Sequence, residues 1–163
     1  MSAVDDAVTA NERFAAASPP ALETRPSRGL AIVACMDARI DVLAALGLGP
    51  GEAHVLRNAG GVITDDVIRS LAISQRKLGT REVMLIHHTD CGMETISDEG
   101  FATELEEETG FAPEFPIHAF TDAEADVRES VLRLRRSPFL PHRDAVRGFV
   151  YDVTDGRLRE IEA

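Results

Sequence analysis

AIVACMDARID (residues 31–41) and LIHHTDCGM (residues 85–93) are the two stretches on which the reading of this chain turns. Each opens as a continuous apolar run and stops at polar residues: Cys35, Asp37 and Arg39 in the first, His88 and Cys91 in the second. An apolar run without alternation is what a strand covered on both faces of a parallel sheet requires. Ligand sites in open parallel sheets lie outside the carboxyl ends of the strands. The two stretches therefore predict two strand ends converging on one site, and the chain's only two cysteines both fall there.

Working outward, the spacing predicts a strand over 30–35, then a helix over 39–49 (RIDVLAALGLG) closed by glycine. A second strand follows at 53–57, ending in Asn58-Ala59-Gly60-Gly61, whose glycines permit close backbone approach or positive φ. Residues 64–79 carry the clearest helix, with Thr64 as N-cap, Asp65 and Asp66 in the first turn, and Arg76 and Lys77 before Gly79. A third strand is expected over 82–88, then a short helix at or just after Cys91. The signal weakens over 100–119, where a short acidic helix is read around 102–108. Residues 121–138 predict another helix, residues 147–153 a fourth strand. Asp155-Gly156 reads as a two-residue hairpin turn into an edge strand over 157–161.

Ahead of all this, residues 3–17 predict a short amphipathic helix with Val4, Val8 and Phe14 among its apolar points, followed by a loop carrying Pro19, Pro20 and Pro26. The alternation of strand and helix predicts an α/β fold: a central, mostly parallel four-stranded sheet flanked by helices, with a short antiparallel C-terminal edge strand.

Residues 1–163 are long enough for one domain, and 44% apolar content supports a packed core. Acidic residues outnumber basic ones by 28 to 17, for a formal charge of -11, so nucleic acid and anionic membrane are not expected partners. Residues 1–20 show no basic segment followed by an apolar run, and no apolar run approaches the ~20 residues of a membrane helix. The expected compartment is the cytoplasm, where a cysteine pair points to metal or catalysis rather than to a disulfide.

Two thiolates and an imidazole form a borderline-soft set suited to zinc, and three protein ligands leave a fourth position open for water. Cys35, His88 and Cys91 are the expected metal ligands. Because neighbouring residues on a strand point to opposite faces, only one of His87 and His88 can readily be a ligand. The three-residue spacing to Cys91 selects His88, and His87 is expected to pack beside the site. Asp37 is suited to accept the proton of a zinc-held hydroxide, and Arg39 to grip that carboxylate and keep it ionised. His54, His87 and surface carboxylates are all open as routes for proton export.

CMDAR and HTDCGM, with RNAGG and the TDD-led helix between them, closely resemble the β-class carbonic anhydrases, in their short actinobacterial-like form. The resemblance runs in order and in spacing from about Gly29 to Met93. It implies zinc-dependent reversible hydration of CO2 to bicarbonate and a proton, with Cys35, His88 and Cys91 on the metal and Asp37 and Arg39 as a catalytic dyad. It also implies that the backbone amide of Gly92 helps hold bicarbonate, and that subunits pair as homodimers, with residues 1–25 forming an N-terminal helix and arm on the partner. Plant-like members carry glutamine nine positions before the first cysteine, where this chain has Pro26. Members with a non-catalytic bicarbonate pocket carry a tryptophan there, and this chain has none. No such pocket is expected, and the site is expected in its open form, with water as fourth ligand.

Three other readings compete. The same scaffold and metal could hydrolyse carbon disulfide or carbonyl sulfide. A non-enzymatic zinc module would need a fourth protein ligand, for which only Asp37 is well placed. A redox pair of Cys35 and Cys91 lacks the CxxC spacing.

Overall fold

The computed structural model describes residues 2–17 and 21–163, so Pro19 and Pro20 of the expected loop lie outside the described residues. Among the described residues five strands form one sheet: β1 (Leu30–Cys35), β2 (Ala53–Asn58), β3 (Glu82–His88), β4 (Val146–Tyr151) and β5 (Leu158–Ile161). Their spatial order is β2-β1-β3-β4-β5; the first four run parallel and β5 pairs antiparallel with β4. The chain steps from β1 out to β2, then returns past β1 to β3 and β4. This order puts β1 and β3 side by side at the centre, with Ala34 opposite Ile86. Both strand ends that carry the expected ligand residues therefore open on the same edge of the sheet. The apolar runs are explained by this position: Ala31, Ile32, Val33 and Ala34 are all fully buried.

The helices are α1 (Ala3–Ala16), α2 (Val42–Ala45), α3 (Asp65–Leu78), α4 (Asp98–Thr109) and α5 (Ala123–Arg136). α3 follows its capping signals closely. The Thr64 hydroxyl accepts from the Val67 N–H, Gly79 closes the helix at φ 80°, and Val67 and Leu71 are buried. On α5, Val127, Val131 and Leu134 are buried at helical spacing. α1 is different: none of its residues is buried, and Val4, Val8 and Phe14 are exposed.

Three expectations need correction. The helix expected over 39–49 shrinks to Val42–Ala45, capped by Asp41 and ended by a positive-φ glycine at Gly47. Residues 36–40 are drawn instead into contacts of Asp37 and Arg39 at the site, which local propensity does not register. The acidic helix is longer than read, Asp98–Thr109, capped by Ser97 and closed by Gly110. None of its residues is buried, so it lacks the apolar stripe by which a helix shows in sequence. The last connection is wider than a two-residue turn. Tyr151 pairs with Leu158, and the Asp152 carboxylate accepts from the Thr154 N–H, bending the chain before Asp155 is reached.

Candidate metal centre

The apolar run of β1 ends at Cys35, and β3 ends at His88. Cys91 stands three residues on, immediately before a 3-10 turn (Gly92–Thr95). The ligand atoms of Cys35, His88 and Cys91 all lie within 4.8 Å of one another. All three side chains are buried, with residue exposures of 4%, 0% and 3%. The His88 Nδ1 lies 2.9 Å from the Thr89 carbonyl oxygen, which can only accept. That nitrogen must therefore carry the proton, which leaves the Nε2 lone pair free. Nε2 is buried without a hydrogen-bond partner among the described residues. An orphaned imidazole nitrogen between two thiols, with its other N–H tied to a backbone carbonyl, is the arrangement of a metal-ligating histidine. The donor set fits zinc.

Electrostatics separates the two cysteines. Burial alone would raise the Cys35 thiol, but the adjacent His88 ring and the backbone N–H groups of Asp37 and Gly60 outweigh it, and the thiol sits below its ordinary value. Cys91, buried and beside Cys35, is pushed up to about 11. A bound divalent cation would favour the thiolate form of both.

Asp37 and Arg39 form a two-pronged pair. Arg39 Nε donates to Asp37 Oδ1 at 3.0 Å, Nη2 donates to Oδ2 at 2.7 Å, and the Arg39 backbone N–H also reaches Oδ1 at 2.9 Å. These bonds hold the Asp37 carboxyl well below the usual carboxylate range. Its Oδ2 lies 3.7 Å from His88 Nε2, so the carboxylate borders the ligand cluster without belonging to it.

Two contributors were not read from the sequence. Arg57, the penultimate residue of β2, donates from Nε to the Cys35 carbonyl at 2.9 Å and from Nη2 to the Asp37 carbonyl at 2.7 Å. It braces the backbone between Cys35 and Asp37. Asp90 meets Arg39 from the other loop, accepting from Nη1 at 2.6 Å on Oδ2 and from Nη2 at 2.8 Å on its backbone oxygen. Position was the only available signal: an arginine ending the strand beside β1, and a carboxylate enclosed between His88 and Cys91.

The glycines after β2 have the expected use. Gly61 adopts φ +71°, and a Cβ there would stand 2.8 Å from the Cys35 nitrogen and 3.0 Å from the Ile86 oxygen. It fills the space where β1 and β3 approach. Gly92 is exposed, with nothing within 4 Å of where its Cβ would stand, so its backbone is accessible.

His87 points away from His88, as strand alternation requires. Its Nε2 pairs with Asp126 Oδ2 of α5 at 2.7 Å, and its ring stacks on Phe120. His54 sits opposite Ala31, at the far end of β1 from Cys35, where its Nδ1 bonds the Ser74 hydroxyl at 2.7 Å. Against the metal-site loops lies an apolar cavity of about 480 Å³ lined by Met36, Asn58, Ala59, Met93, Ile96 and Phe115.

Known proteins resemble this chain in sequence and in fold. The family model described as carbonic anhydrase matches residues 30–120. The β-carbonic anhydrase 1 of Mycobacterium tuberculosis is 51% identical over 161 residues, covering 99% of each chain. The crystal structure of a carbonic anhydrase from Streptococcus mutans superposes with a TM-score of 0.93 at 43% identity, covering 99% of each chain. A carbon disulfide hydrolase from Acidianus sp. is 32% identical, covering 82% of this chain and 78% of its own. No helix among the described residues is long and apolar enough to cross a membrane. A family match over more than half of the chain and an end-to-end relative sharing half of its residues lead to one conclusion: the chain belongs to the β-carbonic anhydrase family.

Proposed function

We propose that this chain, folded as a single domain, catalyses the reversible hydration of CO2 to bicarbonate and a proton, with one zinc ion held by Cys35, His88 and Cys91. The observation that carries the reading is the buried thiol–imidazole–thiol cluster bordered by an ionised carboxylate. When bound there, zinc supplies Lewis acidity and lowers the pKa of water. Asp37, pinned at both oxygens by Arg39, keeps an oriented acceptor at the edge of the cluster, placed to accept a hydrogen bond at Oδ2. Arg39 holds Asp37 ionised, and Arg57 fixes the peptide that carries it. The Gly92 amide is suited to hold the anionic product, and the apolar cavity beside Met36 and Met93 suits an uncharged reactant.

Two thiolates neutralise more of a divalent charge than three imidazoles do, so activity is expected to rise on the alkaline side of neutrality. Subunits pair as a homodimer in this reading, with α1 on the partner; the exposed Val4, Val8 and Phe14 support it. The cytoplasm remains the expected compartment.

Hydrolysis of carbon disulfide or carbonyl sulfide is the second reading, supported by relatives named for carbon disulfide. The higher identity to the mycobacterial β-carbonic anhydrase favours CO2. A non-enzymatic zinc module would recruit Asp37 as fourth ligand, and the grip of Arg39 on both its oxygens argues against that.

Stopped-flow CO2 hydration across neutral to alkaline pH, with zinc determined on the same sample, tests the proposal. Full zinc without hydration at any pH would overturn it, and assay with carbon disulfide would then decide the second reading. Asp37→Asn should lower turnover about hundredfold or more with zinc retained; full activity in that variant would remove Asp37 from the mechanism.

A further inference from the structure

Arg39 faces two carboxylates. One edge of its guanidinium grips Asp37, while Nη1 reaches the Asp90 carboxylate at 2.6 Å and Nη2 reaches the Asp90 backbone oxygen at 2.8 Å. Asp90 lies in the turn between the two ligand positions His88 and Cys91, so this contact ties the loop after β1 to the loop after β3. Its backbone is in the left-handed region, at φ 55°, which a residue other than glycine adopts sparingly. The Thr89 carbonyl in the same turn is already occupied by His88 Nδ1. The turn that presents Cys91 is thus fastened at two successive carbonyls, one by a ligand and one by Arg39.

The Arg39–Asp90 pair is exposed, with side-chain exposures of 45% and 80%, and such pairs add little to stability. Its consequence is geometric. Held from both sides, the guanidinium cannot rotate away from Asp37, whose Oδ2 stands 3.7 Å from the free Nε2 of His88. A carboxylate released at that distance is itself a competent zinc ligand. We infer that Asp90 is a positioning residue: it locks Arg39 against Asp37 and thereby keeps Asp37 off the metal. The inference rests on the proposed zinc site and catalytic role of Asp37.

Two variants test it. Asp90→Gly removes the carboxylate and accepts the left-handed backbone; Asp90→Asn keeps the shape and an acceptor oxygen without the charge. Zinc binding is measured by chelator competition, CO2 hydration by stopped flow, and the ligand set by the absorption bands of the cobalt(II)-substituted protein. Asp90→Gly should retain one zinc per chain, lose about tenfold or more in kcat/KM, and shift its cobalt bands as a carboxylate joins the ligand set. Asp90→Asn should fall between the variant and the parent protein. Unchanged rate and cobalt bands in Asp90→Gly would overturn the inference. So would loss of zinc affinity in both variants, which would make Asp90 a folding residue of the turn. If the parent protein hydrated no CO2, the functional reading would fail, and the cobalt bands of Asp90→Gly would still decide the role of Asp90.

Discussion

Gly61→Ala offers the sharpest test of how the fold shapes the metal site. The added methyl would stand 2.8 Å from the Cys35 nitrogen, 2.9 Å from the Ala34 carbonyl carbon and 3.0 Å from the Ile86 oxygen. All three are backbone atoms of central strands and none can swing aside. The φ of +71° adds a conformational penalty of about 1–2 kcal/mol for a residue with a Cβ. Overpacking a rigid site adds about 1–3 kcal/mol. Reduced freedom of the unfolded chain returns about 0.4–1 kcal/mol. The net expectation is a loss of about 3 kcal/mol, a large share of the roughly 5–15 kcal/mol that holds a domain folded. For a domain of this size that lowers Tm by about 6–12 °C. Because the clash falls on the Cys35 backbone, zinc affinity should fall with stability. Thermal unfolding followed by circular dichroism, with chelator competition for zinc, measures both. Gly92→Ala is the control: among the described residues no atom beyond its chain neighbours lies within 4 Å of its Cβ position, and it should stay within about 0.5 kcal/mol of the parent. A Gly61→Ala protein melting with the parent would refute the close-approach argument.

Cys91→Ser should abolish stoichiometric zinc, since a serine hydroxyl replaces the soft thiolate; metal analysis of the purified variant checks this, and one zinc per chain would exclude Cys91 as a ligand. Asp126→Ala should destabilise by about 1–3 kcal/mol, because it strips the buried His87 of its 2.7 Å partner, whereas Asp126→Asn should retain most of the stability. Urea unfolding of the two variants separates them, and equal losses would refute the hydrogen-bond account. Folding draws Asp37 below its ordinary range, so the unfolded chain takes up that proton first as pH falls. Its contribution to stability is therefore complete above the ordinary carboxylate range of about pH 4 and is lost as pH falls further. The Tm gap between the parent and Asp37→Asn should be widest near neutrality and narrow in acid, and a gap independent of pH would contradict the depressed value.

Much of this architecture was legible because burial and chemistry coincide in the strands. LAIVAC and EVMLIHH are apolar since both strands sit centrally between covered faces, and each ends where ligand chemistry begins. α3 was legible through its Thr64 cap and Gly79 stop, which are local interactions. The misjudged elements lacked such signals. α4 buries nothing and so shows no periodicity, while the region 39–49 has helical propensity that the Asp37–Arg39 contacts override.

The sequence by itself determined the strand ends, the donor residue types at them and the alternation that sends His87 and His88 to opposite faces, because these depend on near neighbours and on backbone period. It also determined the family, through motifs that occur in order. Only the tertiary structure decided that β1 and β3 are adjacent, and with that adjacency the convergence of Cys35 on His88 and Cys91. The roles of Arg57 and Asp90 were decided there too. Arg57 reaches Cys35 and Asp37 across 22 and 20 residues of chain, and Asp90 reaches Arg39 across 51. Contacts at such separations follow from sheet order, and no local pattern in the chain encodes them.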